Sequence, residues 1–288
     1  MSGRSLGERA FIGLQYLLPQ NLLSRLVGWI AESRIGIVRM ALIRLFLNRY
    51  RVDLAEAARP DPAAYASFND FFTRRLKAGA RTFDADPRAA LCPADGILSQ
   101  AGPIVGDTLL QAKDIDYSAT ALLGGDSSLA AEFSGGAFVT IYLAPHNYHR
   151  VHMPLAGTLR LARFVPGDLF SVNAATAASV PGLFTRNERV ACVFDTASGP
   201  MAVVLVGALF VGSMSLAWAN RIRPVGGRRV FELPAHDPII ALDRGAELGW
   251  FNMGSTVVLL FGPRGPALVE ALAPGWALRV GERLALSR

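Results

Sequence analysis

Residues 249–261 read Gly-Trp-Phe-Asn-Met-Gly-Ser-Thr-Val-Val-Leu-Leu-Phe and end in an unbroken apolar run, Val257–Phe261. A short run of this kind, rich in β-branched residues, is typical of a strand that is buried on both faces. Similar runs, separated by Gly, Pro, Asn and Asp, occur from about residue 80 onwards. They lie at 137–144, 157–165, 190–194, 201–211, 229–233 and 255–261. This spacing predicts a mainly antiparallel β domain.

The N-terminal region has a different pattern. Its apolar residues are spaced as in helices, which we predict over residues 5–30 and 34–50. Pro19 interrupts the first of these helices, because proline has no N–H to donate and clashes with the preceding turn. We expect Asn21 to cap the helix that continues after this break.

Two polar residues predict further helix starts before the β pattern begins. Asp61 precedes a proline, and Ser67 precedes an aromatic cluster, which are favourable N-cap arrangements. The chain is therefore predicted to be α+β, with N-terminal amphipathic helices followed by a mainly antiparallel β domain. We place a helical region at residues 1–80 and a β-rich domain at residues 81–288.

Charge is distributed unevenly along the chain. The formal net charge is +6, and residues 1–52 account for all of it, with eight Arg, no Lys and two acidic residues. Arginines on an apolar helix suit an interfacial anchor that binds anionic headgroups. Arg34, Arg39 and Arg44 nevertheless point in three directions, so a helix packed on another helix or on a partner is the alternative. The abundant aliphatic residues argue against a nucleic-acid partner.

Composition narrows the class of protein further. Hydrophobic residues make up 51% of the 288 residues and charged residues only 18%, which is apolar for a soluble protein. No stretch reaches the roughly 18 uninterrupted apolar residues of a membrane span, and we find no secretory signal. Cys92 and Cys192 lie far apart and match no metal spacing, so we expect no metal site and a reducing compartment.

The Gly254–Ser255 bond is a candidate for self-cleavage. A serine hydroxyl that attacks the preceding glycine carbonyl converts the amide to an ester. Elimination and hydrolysis then leave a pyruvoyl ketone at the new N-terminus. Glycine suits the upstream position because it tolerates strained geometry and has no Cβ to block the attack. Taken alone, however, a Gly-Ser-Thr tripeptide is more often a turn that enters a strand.

Two other segments carry candidate catalytic side chains. Tyr-His-Arg-Val-His-Met-Pro at 148–154 contains His149 and His152, and Pro-Ala-Asp-Gly at 93–96 contains Asp95. A carboxylate, an imidazole and an activated serine are the parts of a charge relay. Taken singly, Asp95 reads as a turn residue and His152 as a core histidine. Two histidines three residues apart lie together on a helical turn but not on a strand, so we expect a turn here.

These three stretches, in this order, resemble phosphatidylserine decarboxylase proenzymes. The resemblance runs from about residue 65 to the C-terminus and is also carried by the segments at 68–77, 138–145, 164–173, 183–190 and 206–213. The sequence departs from the family at Met253, where leucine is usual, and at Asn147, where an acidic residue is common. Both departures lie beside the chemistry, so they put rate and local geometry in doubt more than identity.

The resemblance implies a role for each candidate residue. Ser255 would be the nucleophile and the source of the pyruvoyl cofactor, with His152 and Asp95 as its relay. Decarboxylation also needs a general acid, and His149 is our candidate because it lies three residues from His152. The amine of phosphatidylserine would form a Schiff base with the ketone before CO₂ is lost. The large and small chains, ending at Gly254 and starting at residue 255, would stay associated.

The resemblance and the basic N-terminus together imply a peripheral protein on the cytoplasmic side of the cell membrane. The sequence leaves the oligomeric state open, with a homodimer among the possibilities. Three other functions also remain open at this point. They are a pyruvoyl decarboxylase of a soluble amino acid, a serine hydrolase, which here would lack a Gly-x-Ser-x-Gly elbow, and a non-catalytic membrane-associated β protein.

Overall fold

The computed structural model describes residues 6–112, 114–210, 213–222, 229–234 and 239–287, and it confirms the predicted α+β class. Positions 5 and 211, at the ends of two predicted elements, lie outside these ranges. The helices are α1 Leu6–Leu17, α2 Gln20–Ala31, α3 Gly36–Arg49, α4 Phe68–Phe72, α5 Ala119–Leu122, α6 Ser127–Ala131, α7 Ala174–Ala177 and α8 Leu183–Arg186, with 3₁₀ turns at Leu54–Glu56 and Pro62–Ala64.

The strands follow mainly after residue 88. They are β1 Ala89–Leu91, β2 Gly96–Pro103, β3 Thr108–Ala112, β4 Ile115–Ser118, β5 Ala137–Leu143, β6 Arg150–His152, β7 Gly157–Val165, β8 Arg189–Thr196, β9 Gly199–Gly207, β10 Met214–Leu216, β11 Ala219–Ile222, β12 Phe231–Glu232, β13 Ala241–Leu242, β14 Glu247–Phe251, β15 Ser255–Phe261, β16 Ala267–Leu268, β17 Ala277–Leu278 and β18 Arg283–Leu286.

The predicted helix break at Pro19 is confirmed, but the predicted cap is wrong. Pro19 itself is the N-cap of α2, and its carbonyl accepts the backbone N–H of Leu23 at 3.0 Å. Asn21 therefore lies inside the first turn. Asp61 and Ser67 cap as predicted: Asp61 accepts the N–H of Ala63 at 2.9 Å, and Ser67 accepts that of Asp70 at 3.1 Å.

Strand β15 occupies the centre of the largest sheet. That sheet has nine strands in the order β12-β7-β8-β9-β15-β5-β2-β17, with β13 also paired to β7. All seven residues of β15 are buried, and the strand pairs antiparallel with β9 on one side and β5 on the other. The prediction of a fully buried strand at Val257–Phe261 is confirmed.

The two faces of β15 pack into different cores. Val257 and Leu259 point towards a second sheet, of order β11-β10-β14-β6, which supplies Val151 and Phe251 to the same cluster. The alternate residues Val258 and Leu260 pack on the opposite face, which short helices cover. Between β14 and β15 the chain crosses from the smaller sheet to the larger one in three residues, 252–254, directly before Ser255.

Candidate functional site

The crossing segment has an unusual backbone conformation. Met253 has φ 100° and Gly254 has φ 46°, both in the left-handed region. A non-glycine residue held there typically costs about 1–3 kcal/mol and persists only when its surroundings fix it. The sequence directed attention to Met253 as a departure from the family pattern, but not as a strained position.

Asn252 is the residue that fixes this segment. Its side-chain Nδ2 donates to Ser213 Oγ at 2.9 Å and to Ser215 Oγ at 3.2 Å, and its Oδ1 accepts from Asn69 Nδ2 at 3.0 Å. Its backbone N–H donates to the Ser213 carbonyl at 3.0 Å. Asn252 is buried, so the residue directly before Met253 and Gly254 is held in a fixed position.

Ser255 follows the strained residues and is almost fully buried, at 1% exposure. Its cross-strand partners are Leu143 and Gly207. Its hydroxyl has no hydrogen-bond partner among the described residues. A buried polar group without a partner costs about 1–3 kcal/mol, and such groups in native proteins often have a chemical role. The hydroxyl is thus free of competing bonds and directly follows the Gly254 carbonyl.

His149 is fully buried and packs against the ring of Phe72, with ring centroids 4.1 Å apart. Its Nδ1 lies 2.8 Å from the carbonyl oxygen of Asn147, which requires the proton to be on Nδ1. Its Nε2 has no partner within the described chain. Burial, and after it the positive charge of Arg74, lower the pKa of His149 to about 3. The resting ring is therefore neutral, with an open lone pair on Nε2.

His152 lies on strand β6, so the predicted turn that would bring the two histidines together is wrong. Its Nδ1 is 2.8 Å from the Gly245 carbonyl oxygen, and its Nε2 is 3.0 Å from the Tyr148 hydroxyl. Its pKa is lowered, chiefly by burial. The extended backbone arises because β6 pairs antiparallel with β14, where His152 lies opposite Glu247.

Asp95 lies near His152 but binds other groups. Its carboxylate accepts two hydrogen bonds from Arg81 and one, at 2.9 Å, from the backbone N–H of Val280. The backbone N–H of His152 donates to the Pro93 carbonyl at 2.8 Å, which holds the two segments together. Asp95 thus influences the imidazole through its charge and not through a direct bond.

The structure therefore brings Asp95 and His152 close together but does not form the hydrogen-bonded relay from Asp95 through His152 to Ser255. His152 lies on the opposite face of β6 from Val151, which packs in the core cluster shared with β15. Its Nε2 is engaged by Tyr148, a residue that the sequence reasoning did not assign. The catalytic roles of these residues remain predictions.

Two cavities adjoin the crossing segment. One, of about 470 Å³, contains polar and charged groups and is lined by Arg25, Gly28, Trp29, Ala31, Glu32, Asn69, Ser213, Arg221, Asn252 and Met253. The other, of about 520 Å³, is almost wholly apolar and lies between α2 and α3, lined by Val27, Ile30, Ala31, Leu42, Leu45, Phe46, Arg49, Tyr50, Phe68 and Met253. Ala31 and Met253 line both cavities, and Met253 directly precedes Gly254 in the chain.

Sequence reasoning also missed Glu188, a buried acid at 7% exposure. Its backbone carbonyl accepts the N–H of Gly207 at 2.8 Å, and Gly207 is the cross-strand partner of Ser255. Burial raises the pKa of Glu188 to about 7, against a smaller opposing effect of Arg25 on α2. The sequence alone does not mark Glu188 as buried, because glutamate is usually a surface residue.

The N-terminal helices leave large apolar side chains exposed, among them Leu17, Leu22, Leu26, Trp29, Ile37 and Leu45. No helix in the described part of the chain has the length and apolarity to cross a membrane. Within the same residues, no group of three or more His, Cys, Asp or Glu side chains is arranged to hold a metal ion.

Comparisons with known proteins point to one family. The family model described as phosphatidylserine decarboxylase matches residues 68–286, and a second model, described as PSD, matches residues 10–51. Proteins named phosphatidylserine decarboxylase proenzyme from Ectopseudomonas mendocina and Bordetella pertussis are 54% and 53% identical to this chain. Those alignments cover 96% and 97% of the chain and 98% and 95% of the relatives. The protein of that name from Pseudomonas paraeruginosa is 52% identical over 99% of both chains.

Proposed function

This chain belongs to the phosphatidylserine decarboxylase family and is a decarboxylase, and from that premise we propose that it activates itself by cutting the Gly254–Ser255 bond. The observation that supports this most strongly is the unpartnered, buried Ser255 hydroxyl at the end of a strained crossing segment. Attack on the Gly254 carbonyl would relieve the backbone strain stored at Met253 and would give the unpartnered Ser255 oxygen a bond.

The two resulting chains would stay associated because three strands of the small chain pair with strands of the large chain. Its strand β15 pairs along all seven residues with both β9 and β5 of the large chain. Further along, β17 pairs with β2 and β18 pairs with β1. Separation of the chains would expose an entire buried strand, so cleavage would leave the fold intact.

His152 and Asp95 are the proposed base and its electrostatic support. The neutral His152 ring carries its proton on Nδ1, which donates to Gly245, so Nε2 is the basic atom. The Tyr148 hydroxyl occupies that atom in this structure, and His152 faces away from the core cluster that β6 shares with β15. Both side chains would therefore have to move before Nε2 accepts a proton from Ser255. The Asp95 carboxylate would favour the imidazolium that forms, since its charge acts to raise the pKa of His152.

The surroundings of Ser255 fit a pyruvoyl group. The residue is buried on a strand that is paired on both sides, and its hydroxyl has no described hydrogen bond that conversion to the ketone would break. The ketone would supply an electron sink for the carbon that loses CO₂. Loss of CO₂ leaves an electron pair on that carbon, so one proton must be delivered to it. His149 Nε2 is the proposed carrier: it would accept the proton from the substrate's ammonium group and return it to the carbon.

The two cavities suit the two ends of phosphatidylserine. Arg25 and Arg221 line the polar cavity and would bind the phosphate, whereas the apolar groove between α2 and α3 would hold part of an acyl chain. The exposed apolar side chains of α1–α3 would insert into the cytoplasmic face of the cell membrane, with arginines at anionic headgroups. The lipid would then reach the site without fully leaving the bilayer.

Two matched variants test the self-cleavage. Ser255→Ala should leave one unbroken chain that releases no CO₂ from vesicles containing phosphatidylserine. Thr256→Val is the control, because Thr256 also has a buried hydroxyl without a described partner but projects to the opposite face of β15. The control should be cut and active. A Ser255→Ala protein that is still cut, or that still releases CO₂, would refute the proposal. Free serine in place of the lipid tests the substrate class.

A further inference from the structure

The first two helices are amphipathic in the reverse of the usual sense. Gln15, Gln20 and Ser24 are buried, at 1%, 8% and 1% exposure, and face the β domain. The large apolar residues of the same helices are on the outside, namely Leu14, Tyr16, Leu17, Leu22, Leu26 and Trp29. The contact between these helices and the β domain is therefore made in part by specific hydrogen bonds.

The bonds from the two glutamines converge on one extended segment, residues 169–171. Gln20 Oε1 accepts the backbone N–H of Leu169 at 2.6 Å, and Gln15 Oε1 accepts that of Ser171 at 2.7 Å. Gln20 Nε2 donates in turn to the Gln15 carbonyl at 2.7 Å, which ties α2 to α1. A third bond, from the backbone N–H of Phe210 to Ser24 Oγ at 3.1 Å, secures the neighbouring loop.

The other side of the same segment is bound to the sheet that carries Ser255. The backbone N–H of Phe170 donates to Asn187 Oδ1 at 3.1 Å, and Asn187 Nδ2 donates to the carbonyls of Phe170 and Gly207, each at 2.8 Å. A Cβ added at Gly207 would lie 3.3 Å from Leu169 Cδ2. Because Gly207 is the cross-strand partner of Ser255, Leu169 lies over the backbone immediately beside the reacting residue.

We propose that Gln15 and Gln20 are positioning residues for decarboxylation, an inference that rests on the proposed function of Ser255. They hold residues 169–171 so that Leu169 covers the Gly207 side of the site and excludes water from it. Neither glutamine touches the reacting atoms; both act through the backbone of that segment. The outer face of α1 and α2 would bind the membrane, whereas the inner amide face would set the geometry of the site.

The two roles of these helices can be separated with a substrate that needs no membrane. Short-chain phosphatidylserine, kept below its micelle concentration, reaches the protein as single molecules. The full-length double variant Gln15→Leu/Gln20→Leu keeps the approximate side-chain size but removes both acceptors. Hydrogen exchange of the peptide covering 166–172 should become at least about tenfold faster. We expect kcat on the monomeric substrate to fall about tenfold or more, with KM within about threefold.

A third buried glutamine provides the matched control. Gln111 is 0% exposed, accepts the N–H of Leu183 at 2.7 Å and donates to the carbonyls of Ala177 and Val180. Gln111→Leu therefore loses bonds of the same kind away from Gly207. It should be less stable than the wild type, yet keep the wild-type kcat. If the double variant does not fold, Gln20→Leu alone, which frees the N–H of Leu169, is compared with the control instead.

Each result of these experiments either supports or overturns the inference. A normal kcat in the glutamine variant despite faster exchange at 166–172 would overturn the inference, and so would an equal fall in kcat for Gln111→Leu. A selective loss of kcat in the glutamine variant supports it. If the wild-type protein itself releases no CO₂ from either form of the lipid, the proposed function fails, and that result is distinguishable because it appears before any variant is compared.

Discussion

Replacing Glu188 with Gln should remove a pH-dependent instability that burial imposes on this protein. Burial raises the pKa of Glu188 from the ordinary value of 4.5 to about 7. Between these two pH values the folded chain holds a proton that the unfolded chain has released. The free energy of unfolding therefore falls as the pH rises through this range, and the contribution is lost once the pH exceeds about 7.

The magnitude follows from the pKa shift. At about 1.4 kcal/mol for each pKa unit, the rise makes the wild type lose about 3 kcal/mol of stability between pH 4.5 and pH 7 relative to a protein without this group. For a chain of this length that corresponds to about 5 °C in Tm. Glu188→Gln cannot ionise, so its advantage over Glu188 should grow with pH and reach this size near pH 8.

The assay is thermal or urea unfolding at several pH values, in a Ser255→Ala background so that a single chain unfolds. The slope of stability against pH is the readout, because any constant cost of burying an amide cancels in it. Glu270→Gln, which removes an exposed carboxylate, is the control and should keep the wild-type slope. If Glu188→Gln has the same slope as the control, the carboxyl is not buried as the structure describes and the reasoning is refuted.

Three further outcomes are expected. His149→Gln should be cut normally yet lose at least about a hundredfold in kcat. The control His146→Gln, which changes an exposed histidine, should keep wild-type CO₂ release. A His149→Gln protein with normal activity would show that His149 is not the proton carrier. Met253→Gly should slow cleavage about fivefold in a time course after synthesis. Glycine removes about 1 kcal/mol of strain from the uncut chain, which raises the barrier to cleavage by that amount. Unchanged or faster cleavage would show that backbone strain at this position does not promote the reaction. Leu17→Ser/Leu22→Ser should weaken binding to anionic vesicles in a flotation assay by roughly a hundredfold, because about 3 kcal/mol of apolar burial is lost. Wild-type flotation would contradict the anchor.

The parts of the fold that could be predicted are those specified by neighbouring residues. Residues Val257–Phe261 of β15 are apolar at every position, so a buried strand followed directly from the sequence. The caps at Asp61 and Ser67 depend only on residues two or three positions away. The cap at Asn21 was misplaced because the carbonyl of Pro19 could begin the helix without a polar side chain.

The geometry of the candidate site could not be predicted from the sequence, and the roles of its residues stay predictions. His149 and His152 were identified, yet their local spacing suggested a turn, whereas pairing with β14, about 100 residues later, extends the chain. The partner of Asp95 could not be predicted either. Nothing in the sequence distinguishes Arg81 from the other arginines, and only the fold buries it beside that carboxylate. Buried glutamines on α1 and α2 break the usual amphipathic pattern, so their contacts with residues 169–171 needed the structure.

The chemical state of residue 255 tests the central claim most directly. Purified wild-type protein is denatured, its chains are separated, and each is weighed intact before and after treatment with a carbonyl-specific hydrazide. We predict two chains, residues 1–254 and 255–288, of which only the smaller reacts with the hydrazide, and reacts once, at its N-terminus. An active protein recovered as a single uncut chain, or a small chain that begins with a free amine, would contradict the account.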